Sequence, residues 1–367
     1  MNRSFLPRLA AALFGALTFA NPAFSTDCES VLSSYQSCVS YGFCSPYASP
    51  GEMVAAYPQC FPGGAAASQV QVSATSFQQI GVVSSVVSSR LLGGSGPTQI
   101  AGGPVQGMAA GGKNAWNLWA NVSDSDTRQS YTLGGLAKKH DVDVTNTVVG
   151  IDYTLRPGMV LGISGAIDRG TGSSQPNAAA ARQASTITGY SIAPYLGYQL
   201  SKELALDASI GFGAADVSSA GNLESEGDRL FYAAGLNYSR WVRNWQLSGK
   251  LGYLHGEEDF GQTKLNGAAQ ANTASKSKMD RWILGVQAGY WFGNGVQPYA
   301  GVSYVADHLS SSQGVASPVG NSAWQWALGL NFYSLASGVT GGVAFTREEG
   351  RTNQKNSALS ANIGMRF

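Results

Sequence analysis

The stretch NSALSANIGMRF, Asn356 to Phe367, alternates apolar and polar side chains and finishes on a bare aromatic residue. A period of two with one wholly apolar face is typical of a half-buried β-strand. A strand at a chain terminus tends to fray in a soluble domain, so this one needs an apolar environment against its outer face. The side chains on that face are Leu359, Ala361, Ile363, Met365 and Phe367.

The same alternation recurs in twelve segments from Trp116 onward, and YSIAPYLGYQL, residues 190–200, is the clearest. The twelve apolar faces carry no Asp, Glu, Lys or Arg, whereas polar and charged residues occupy the opposite faces. Apolar outside and polar inside is the pattern of a transmembrane β-barrel with a wet interior. We therefore predict an all-β transmembrane barrel of twelve antiparallel strands. The charged side chains predicted to face its lumen are Asp152, Asp207, Arg229, Lys250, Arg281 and Asp307.

The connections between these segments alternate between short turns and long polar stretches, as in outer-membrane barrels with short periplasmic turns. With both barrel ends on the short-turn side, twelve strands close without a free edge, as lipid requires. The same topology sorts aromatic residues into two belts, for example Tyr190 at the outer rim and Tyr198 at the inner rim. A soluble β-sandwich, the alternative, would place charges on its solvent faces and need no such belts. The stretches predicted to be outer loops are 123–141, 169–185, 218–228, 256–278, 310–321 and 347–355.

Composition excludes several other classes of protein. Charged residues make up 12% of the chain and the net charge is +1, with no basic run, so nucleic acid is not an expected partner. After the N-terminal region no run of about 18 apolar residues occurs, which excludes membrane-spanning helices. GMAAGGKN, residues 107–114, approximates a phosphate-binding loop, but Asn114 replaces the required Ser or Thr and a strand follows. We expect no cofactor and no enzymatic activity.

The N-terminus reads as a secretory signal peptide, residues 1–25, with cleavage predicted between Ser25 and Thr26. Residues 26–67 form a short segment that holds all the cysteines of the chain. An even number of cysteines in a short exported segment predicts disulfides, with three possible pairings of four residues. A zinc site is less favoured because no C-x-x-C spacing occurs. The candidates are Cys28, Cys38, Cys44 and Cys60.

Residues 68–113 are predicted to contain a helix followed by a Gly/Pro-rich linker, ahead of a barrel domain at 114–367. Apolar residues recur at helical spacing between Ala74 and Leu92, and Gly93 and Gly94 then favour a stop. Such a helix would span roughly 28 Å and would fit inside a twelve-stranded lumen. A loose linker or an extra strand is the alternative, since β-branched residues form helices poorly. The residues assigned to the helix are Phe77, Ile80, Val83, Val87, Arg90 and Leu91.

Several of these features, taken in order, resemble the autotransporter β-domain of Gram-negative outer membranes. They are the signal peptide, the helix ending in SSRLL, the NLWANVSDSD first strand, the GIDYTLRPGMVLGISGAI hairpin and the terminal NIGMRF. The resemblance covers about residues 68–367. It implies a monomeric outer-membrane barrel that contains its pore helix and carries an N-terminal passenger to the cell surface (type V secretion).

The family also implies partners: outer-membrane lipid, periplasmic chaperones and the barrel assembly machinery. The machinery would read an aromatic C-terminal signal, here Phe367 with Met365 and Ile363. Family passengers usually lack cysteine because they cross the pore unfolded, whereas residues 26–67 carry four. The alternative function is therefore a plugged outer-membrane pore or structural surface antigen that secretes nothing.

The histidines offer a third interpretation. His140, His255 and His308 each lie near the outer end of a strand, beside Asp141, Glu257 and Asp307 respectively. Acid–histidine pairs on a barrel rim could serve a surface hydrolase or bind a metal. Polar rims also collect such residues without function, and the sequence does not define the spacing between the three strands.

Overall fold

The computed structural model describes residues 34, 65–92, 115–133, 136–175, 182–219, 223–265, 267–269, 274–293, 295–311, 319–334 and 338–367. These residues form one long helix, α1, and fourteen strands. The bounds are α1 (Ala65–Leu92), β1 (Trp116–Leu133), β2 (Leu136–Arg156), β3 (Met159–Gln175), β4 (Gln183–Gln199), β5 (Leu204–Ser219), β6 (Leu223–Val242), β7 (Trp245–Phe260), β8 (Lys264–Leu265), β9 (Ala268–Ala269), β10 (Ser275–Tyr290), β11 (Val296–Ser311), β12 (Ser322–Ser334), β13 (Val339–Glu349) and β14 (Gln354–Arg366).

Twelve of the strands form a closed antiparallel barrel, which confirms the predicted fold class. Each barrel strand pairs with its neighbours in the chain, β7 with β10 across the short hairpin, and β1 pairs with β14 to close the ring. At that seam Trp116 N donates to Phe367 O over 3.2 Å, and Phe367 N donates to Trp116 O over 3.1 Å. The terminal strand is therefore hydrogen-bonded on both sides, to β13 and to β1.

The outer face of the barrel is an apolar band with an aromatic belt at each end. On β4 the belt residues Tyr190 and Tyr198 are both exposed and lie eight residues apart, about 21 Å along the barrel axis at a tilt of about 40°. In the outer belt the rings of Tyr253 and Trp282 lie 4.8 Å apart between centroids. Together these features give the barrel a hydrophobic height suited to a membrane. The short turns and the β1–β14 termini lie at one end, the inner end, and the long connections at the outer end.

The strands extend farther outward than the sequence indicated. The predicted loop 123–141 is mostly the paired outer part of β1 and β2, which runs in register to the Leu133–Leu136 pair. Much of 169–185, 218–228, 256–278 and 347–355 is likewise strand among the residues that the structure describes. The loop prediction was wrong for those stretches because, beyond the membrane, both strand faces can be polar and the alternation disappears.

A small hairpin, β8–β9, was not predicted and extends the sheet at the outer end. Its first strand pairs with the start of β6, Leu223 opposite Leu265 and Glu224 opposite Lys264. The Lys264 ammonium lies 2.9 Å from the Glu226 carboxylate, whose hydrogen bond and charge raise the pKa of that lysine. The pair is exposed, so it orients the hairpin more than it stabilises it.

Helix α1 begins at Ala65, nine residues before the predicted Ala74, and ends at the predicted residue, Leu92. Ala65, Ala66 and Ala67 are the strongest helix formers, so the helix extends back across the predicted boundary at 67/68. Its 28 residues span about 42 Å at 1.5 Å per residue. No helix among the described residues is both long and apolar enough to cross a membrane.

The lumen is less polar than predicted, because large aromatic side chains lie flat against glycines of neighbouring strands. A Cβ at Gly150 would meet the Trp119 ring at 2.3 Å, and one at Gly162 would meet the Tyr195 ring at 2.3 Å. Trp119 and Tyr195 are both buried, with rings 6.3 Å apart. These glycines let the two rings lie against the β2–β4 wall and leave space for the helix.

Candidate functional site: the helix inside the barrel

Helix α1 is attached to the barrel wall by polar contacts at three depths. At the inner end, Arg90 Nε lies 2.9 Å from Asp152 Oδ1 on β2, with both side chains buried. The guanidinium also donates through Nη2 to Thr154 Oγ1 at 2.9 Å and to the carbonyl of Ala115 at 3.1 Å. Because Ala115 immediately precedes β1, one side chain joins the helix to the first two strands.

The Asp152 carboxylate is the centre of a buried network. Its Oδ2 accepts hydrogen bonds from Asn117 Nδ2 at 2.8 Å and from the Tyr195 hydroxyl at 3.1 Å. That hydroxyl in turn accepts from Trp119 Nε1 at 2.8 Å. A buried carboxylate is tolerated when it is paired and fully hydrogen-bonded, and here the pairing partner comes from the helix. The network therefore depends on α1 being in place.

Two further contacts lie higher along the helix. Ser84 Oγ donates to Asp207 Oδ1 on β5 at 2.8 Å. Gln79 bonds two strands at once: its Nε2 donates to Ser164 Oγ at 3.2 Å, and its Oε1 accepts from Ser191 Oγ at 2.6 Å. Since Arg90 lies near the inner turn and Gln79 well outward of it, the chain runs along α1 from the outer end to the inner end.

Between these polar contacts the helix packs through an apolar stripe. Val83, Val87 and Leu91 are buried against a cluster that includes Trp119 and Tyr195. The approach to β4 is closest at Gly197, where a Cβ would meet Val87 Cγ1 at 2.4 Å and Leu91 Cδ1 at 3.1 Å. Of the other predicted helix residues, Ile80 is half-buried, and the side chain of Phe77 lies outside what the structure describes.

The remaining predicted lumen charges lie on the inner face of the wall. Arg229 bonds Asp168 Oδ1 at 3.0 Å and Glu258 Oε1 at 2.7 Å, a buried triad that joins β6 to β3 and β7. Lys250 is half-buried on β7. Sequence reasoning missed Asp168 and Glu258, because a pairing between distant strands leaves no local signal.

A second ion cluster lies near the outer end of β10 and β11. Arg281 contacts Asp307 with two hydrogen bonds, of 2.6 and 2.7 Å. Arg351, from the β13–β14 turn, adds a contact of 2.8 Å to the same carboxylate and one of 3.2 Å to Glu348. Arg281 and Asp307, which were predicted separately as lumen-facing residues, are thus brought together, with two partners that the sequence did not indicate.

The three histidines do not converge. His140 is buried on the inner face, where its Nε2 lies 3.1 Å from the Tyr131 hydroxyl. His255 lies on the outer surface with Nδ1 2.8 Å from Asp280 Oδ1, and His308 is exposed in register with the same aspartate.

The acids predicted to pair with the histidines are not their partners. Asp141 and Asp307 are sequence neighbours of His140 and His308, so they point to the opposite faces of their strands. Glu257 instead bonds Lys276 and Lys278. Among the residues described, no three acid, His or Cys side chains are arranged to hold a metal ion. A catalytic or metal-binding rim has no geometric support in this part of the chain. Cys28, Cys38, Cys44, Cys60 and the Ser25–Thr26 junction lie outside the described residues.

Comparison with known proteins identifies the arrangement. The family model of the autotransporter β-domain matches residues 118–323, more than half of the chain. The fold is similar to the translocator domain of the autotransporter NalP from Neisseria meningitidis, with a TM-score of 0.54, 11% identity and coverage of 70% of this chain and 90% of that one. The β-domain of the Bordetella autotransporter Brka gives a TM-score of 0.53, 14% identity and coverage of 69% and 100%.

The transport unit of the autotransporter AIDA-I from Escherichia coli is similar as well, with a TM-score of 0.53, 12% identity and coverage of 70% of this chain and 91% of that one. At these identities the solved structures support the fold, and the family model supports the membership. No curated protein sequence matches the chain. An autotransporter β-domain is an outer-membrane translocator barrel, which accounts for the apolar outer face and the closed ring. The chain therefore belongs to the autotransporter β-domain family of the Gram-negative outer membrane.

Proposed function

We propose that this barrel translocates the N-terminal segment of its own chain, residues 26–67, and displays it at the cell surface. The observation that carries the proposal is the direction of α1. The helix runs from the outer end of the lumen to the inner end, so its first residue, Ala65, is directed toward the outer mouth, as display of the preceding segment requires. The barrel supplies the conduit, and α1 occupies it after passage.

Helix α1 contacts the barrel wall at three depths, which favours a permanent position of the helix in the lumen over a transient one. Ser84 and Arg90 carry the two polar groups that meet Asp207 and Asp152. An axial shift of one helical turn, about 5.4 Å, would leave both carboxylates without these partners. Unpaired buried charges are costly, so the helix has one favoured depth. A segment joined to it would stay tethered at the surface unless it is cut.

The cysteines constrain the order of events. A barrel of twelve strands spaced 4.8 Å apart and tilted about 40° is roughly 24 Å across between backbones, and lumen side chains reduce that width. A segment knotted by disulfides would pass such a lumen with difficulty. We propose that residues 26–67 cross with their thiols reduced and pair afterwards. Replacing all four cysteines by serine should leave the amount displayed unchanged or higher.

The decisive experiment is the accessibility of an epitope tag inserted after Asp27 in intact cells. Two matched controls place the same tag after Gly267, in the exposed outer hairpin, and after Lys202, in an inner turn. Display predicts that antibody and protease reach the Asp27 and Gly267 tags in intact cells, while the Lys202 tag needs a permeabilised outer membrane. An Asp27 tag that behaves like the Lys202 tag would refute display. The plugged-pore alternative would then account for the helix.

A further inference from the structure

The inner end of the barrel carries its charges on one side of the ring. Outside the lumen, the inner turns and adjoining strand ends from β2 to β7 contain four basic residues and one acid. The connections between β10 and β11 and between β12 and β13, residues 291–295 and 335–338, contain no charged residue. The basic residues, called here the inner basic patch, are Arg156, Lys202, Arg240 and Arg243.

Two arginines of the inner basic patch lie on the lipid-facing side of the wall. The Arg156 guanidinium carbon is 5.9 Å from the centre of the Tyr198 ring, and Tyr198 is an exposed residue of the inner aromatic belt. Arg240 follows the belt residue Tyr238 by two positions, so its exposed side chain points to the same outer face of β6. Aromatic belts lie at the level of the lipid headgroups, so both guanidinium groups are at the depth of the lipid phosphates.

Arg243 is at the tip of the β6–β7 hairpin, in a backbone conformation that arginine rarely adopts. Val242 pairs with Trp245, so only two residues form the turn, and the φ angle of Arg243 is 55°. Glycine, asparagine or aspartate is favoured at such a position. Backbone strain of this kind is concentrated at functional sites, which points to a use for the guanidinium at the tip of the turn.

The single acid of this region, Glu203, does not neutralise the patch. Its carboxylate is 3.7 Å from Arg240 Nε, with both side chains about half exposed, and it accepts a hydrogen bond of 3.3 Å from the Tyr238 hydroxyl. An exposed ion pair of this length is weak. Because an arginine has five N–H donors, the pair leaves donors of Arg240 for a second anion.

An apolar strip lies between the two lipid-facing arginines. Leu206 on β5 is exposed on the outer face and in register with Tyr198 on β4. Leu204, at the inner end of β5, is in register with Tyr238 on β6. A molecule that has an anionic head and apolar chains therefore finds both parts of its surface matched here.

We propose that the inner basic patch binds the phosphate of an anionic phospholipid, such as phosphatidylglycerol, in the inner leaflet of the membrane. Arg156 and Arg240 contact the phosphate from the wall, and Arg243 contacts it from the hairpin tip. The planar guanidinium group matches phosphate geometry with paired hydrogen bonds. A zwitterionic lipid is disfavoured because its headgroup brings a positive charge into the patch. This binding is separate from display of the N-terminal segment and does not depend on it.

The test is the lipid selectivity of the purified, full-length barrel in phosphatidylcholine bilayers. Electron spin resonance of spin-labelled phosphatidylglycerol and phosphatidylcholine gives the ratio of their association constants with the barrel. The variant of the patch is the triple substitution Arg156→Gln, Arg240→Gln, Arg243→Gln. The control removes the same number of exposed arginines from the outer end of the barrel, by Arg128→Gln, Arg169→Gln, Arg347→Gln. Heat-modified migration on gels checks that each protein is folded.

The proposal predicts a several-fold preference of the intact chain for phosphatidylglycerol, which is lost in the patch variant and kept in the control. An intact chain without a preference, or equal preferences in the two triple variants, overturns it.

Inorganic phosphate, added at constant ionic strength, separates a lipid site from a site for free phosphate. The preference should persist, because the lipid is held by its chains as well as by its phosphate. Loss of the preference would show that the patch holds free phosphate, and the lipid proposal would be wrong. None of these outcomes affects the tag experiment on display.

Discussion

Arg90 on α1 and Asp152 on β2 form a buried ion pair, 2.9 Å between Nε and Oδ1, that attaches the helix to the wall at the inner end of the lumen. Asp152 also holds Asn117 and Tyr195, so the pair links the helix to the interior network of the barrel. It is the contact on which the seating of α1 most depends, because both charges are withdrawn from water.

Removing one partner of this pair should lower the free energy of unfolding more than removing both partners. Arg90→Leu leaves a buried carboxylate uncompensated, and the free energy of unfolding should fall by roughly 3–5 kcal/mol. In the double variant Arg90→Leu, Asp152→Asn the amide still accepts from Asn117 and Tyr195 without a charge, so part of the loss should be recovered. Urea unfolding of the refolded parent, the single variant and the double variant measures these three free energies.

The control for that cycle is Arg128→Leu, which breaks an exposed pair with Asp126 on the outer part of β1. Exposed ion pairs contribute little, and no change in the urea midpoint is expected. A double variant as unstable as Arg90→Leu would show that the loss of stability comes mainly from the lost packing of the arginine side chain and not from the unpaired charge.

The close approach of the helix to β4 gives a second prediction. Gly197→Ala places a methyl group 2.4 Å from Val87 Cγ1, so α1 must shift and the barrel should lose stability. Gly256→Ala is the matched control, a lumen-facing glycine on β7 whose Cβ would meet nothing within 4 Å. Thermal unfolding and protease sensitivity of the helix should change only in Gly197→Ala. Equal behaviour of the two variants would argue that the helix is not seated against Gly197.

Features of the fold and of the helix site were predictable from the sequence when they depend on residues close together in the chain. The twelve strands and the end of α1 at Leu92 were predictable because alternation and helix stops are local patterns. The outer halves of β1 and β2 were missed because both faces are polar there. Gln79 and Ser84 looked like ordinary polar residues of a helix surface. Their roles arise from Ser164, Ser191 and Asp207, whose positions opposite the helix no spacing in the sequence encodes.

The histidines give a third prediction, which separates structural from catalytic roles. His140 is buried and stacks on Tyr131 with ring centroids 5.7 Å apart. His140→Ala should therefore lower the free energy of unfolding by about 1–3 kcal/mol, the usual cost of a lost buried hydrogen bond and its packing. His308→Ala, at an exposed position, should leave stability unchanged. Any surface peptidase or lipase activity of the barrel that disappeared in His308→Ala would contradict a purely structural reading.

The last prediction concerns Phe367. Its backbone closes the β1–β14 seam with Trp116, while its side chain is 54% exposed in the inner aromatic belt. The seam bonds use backbone atoms and survive Phe367→Ala, so a finished barrel should be nearly as stable as the parent. If the barrel assembly machinery recognises the Phe367 side chain, Phe367→Ala should lower the amount of folded barrel in the outer membrane. Phe332→Ala removes a comparable ring, 45% exposed, from the same belt on β12. Heat-modified migration in membrane fractions quantifies the folded barrel in both variants. An equal yield of the two would show that Phe367 has no role in assembly beyond that of another aromatic belt residue.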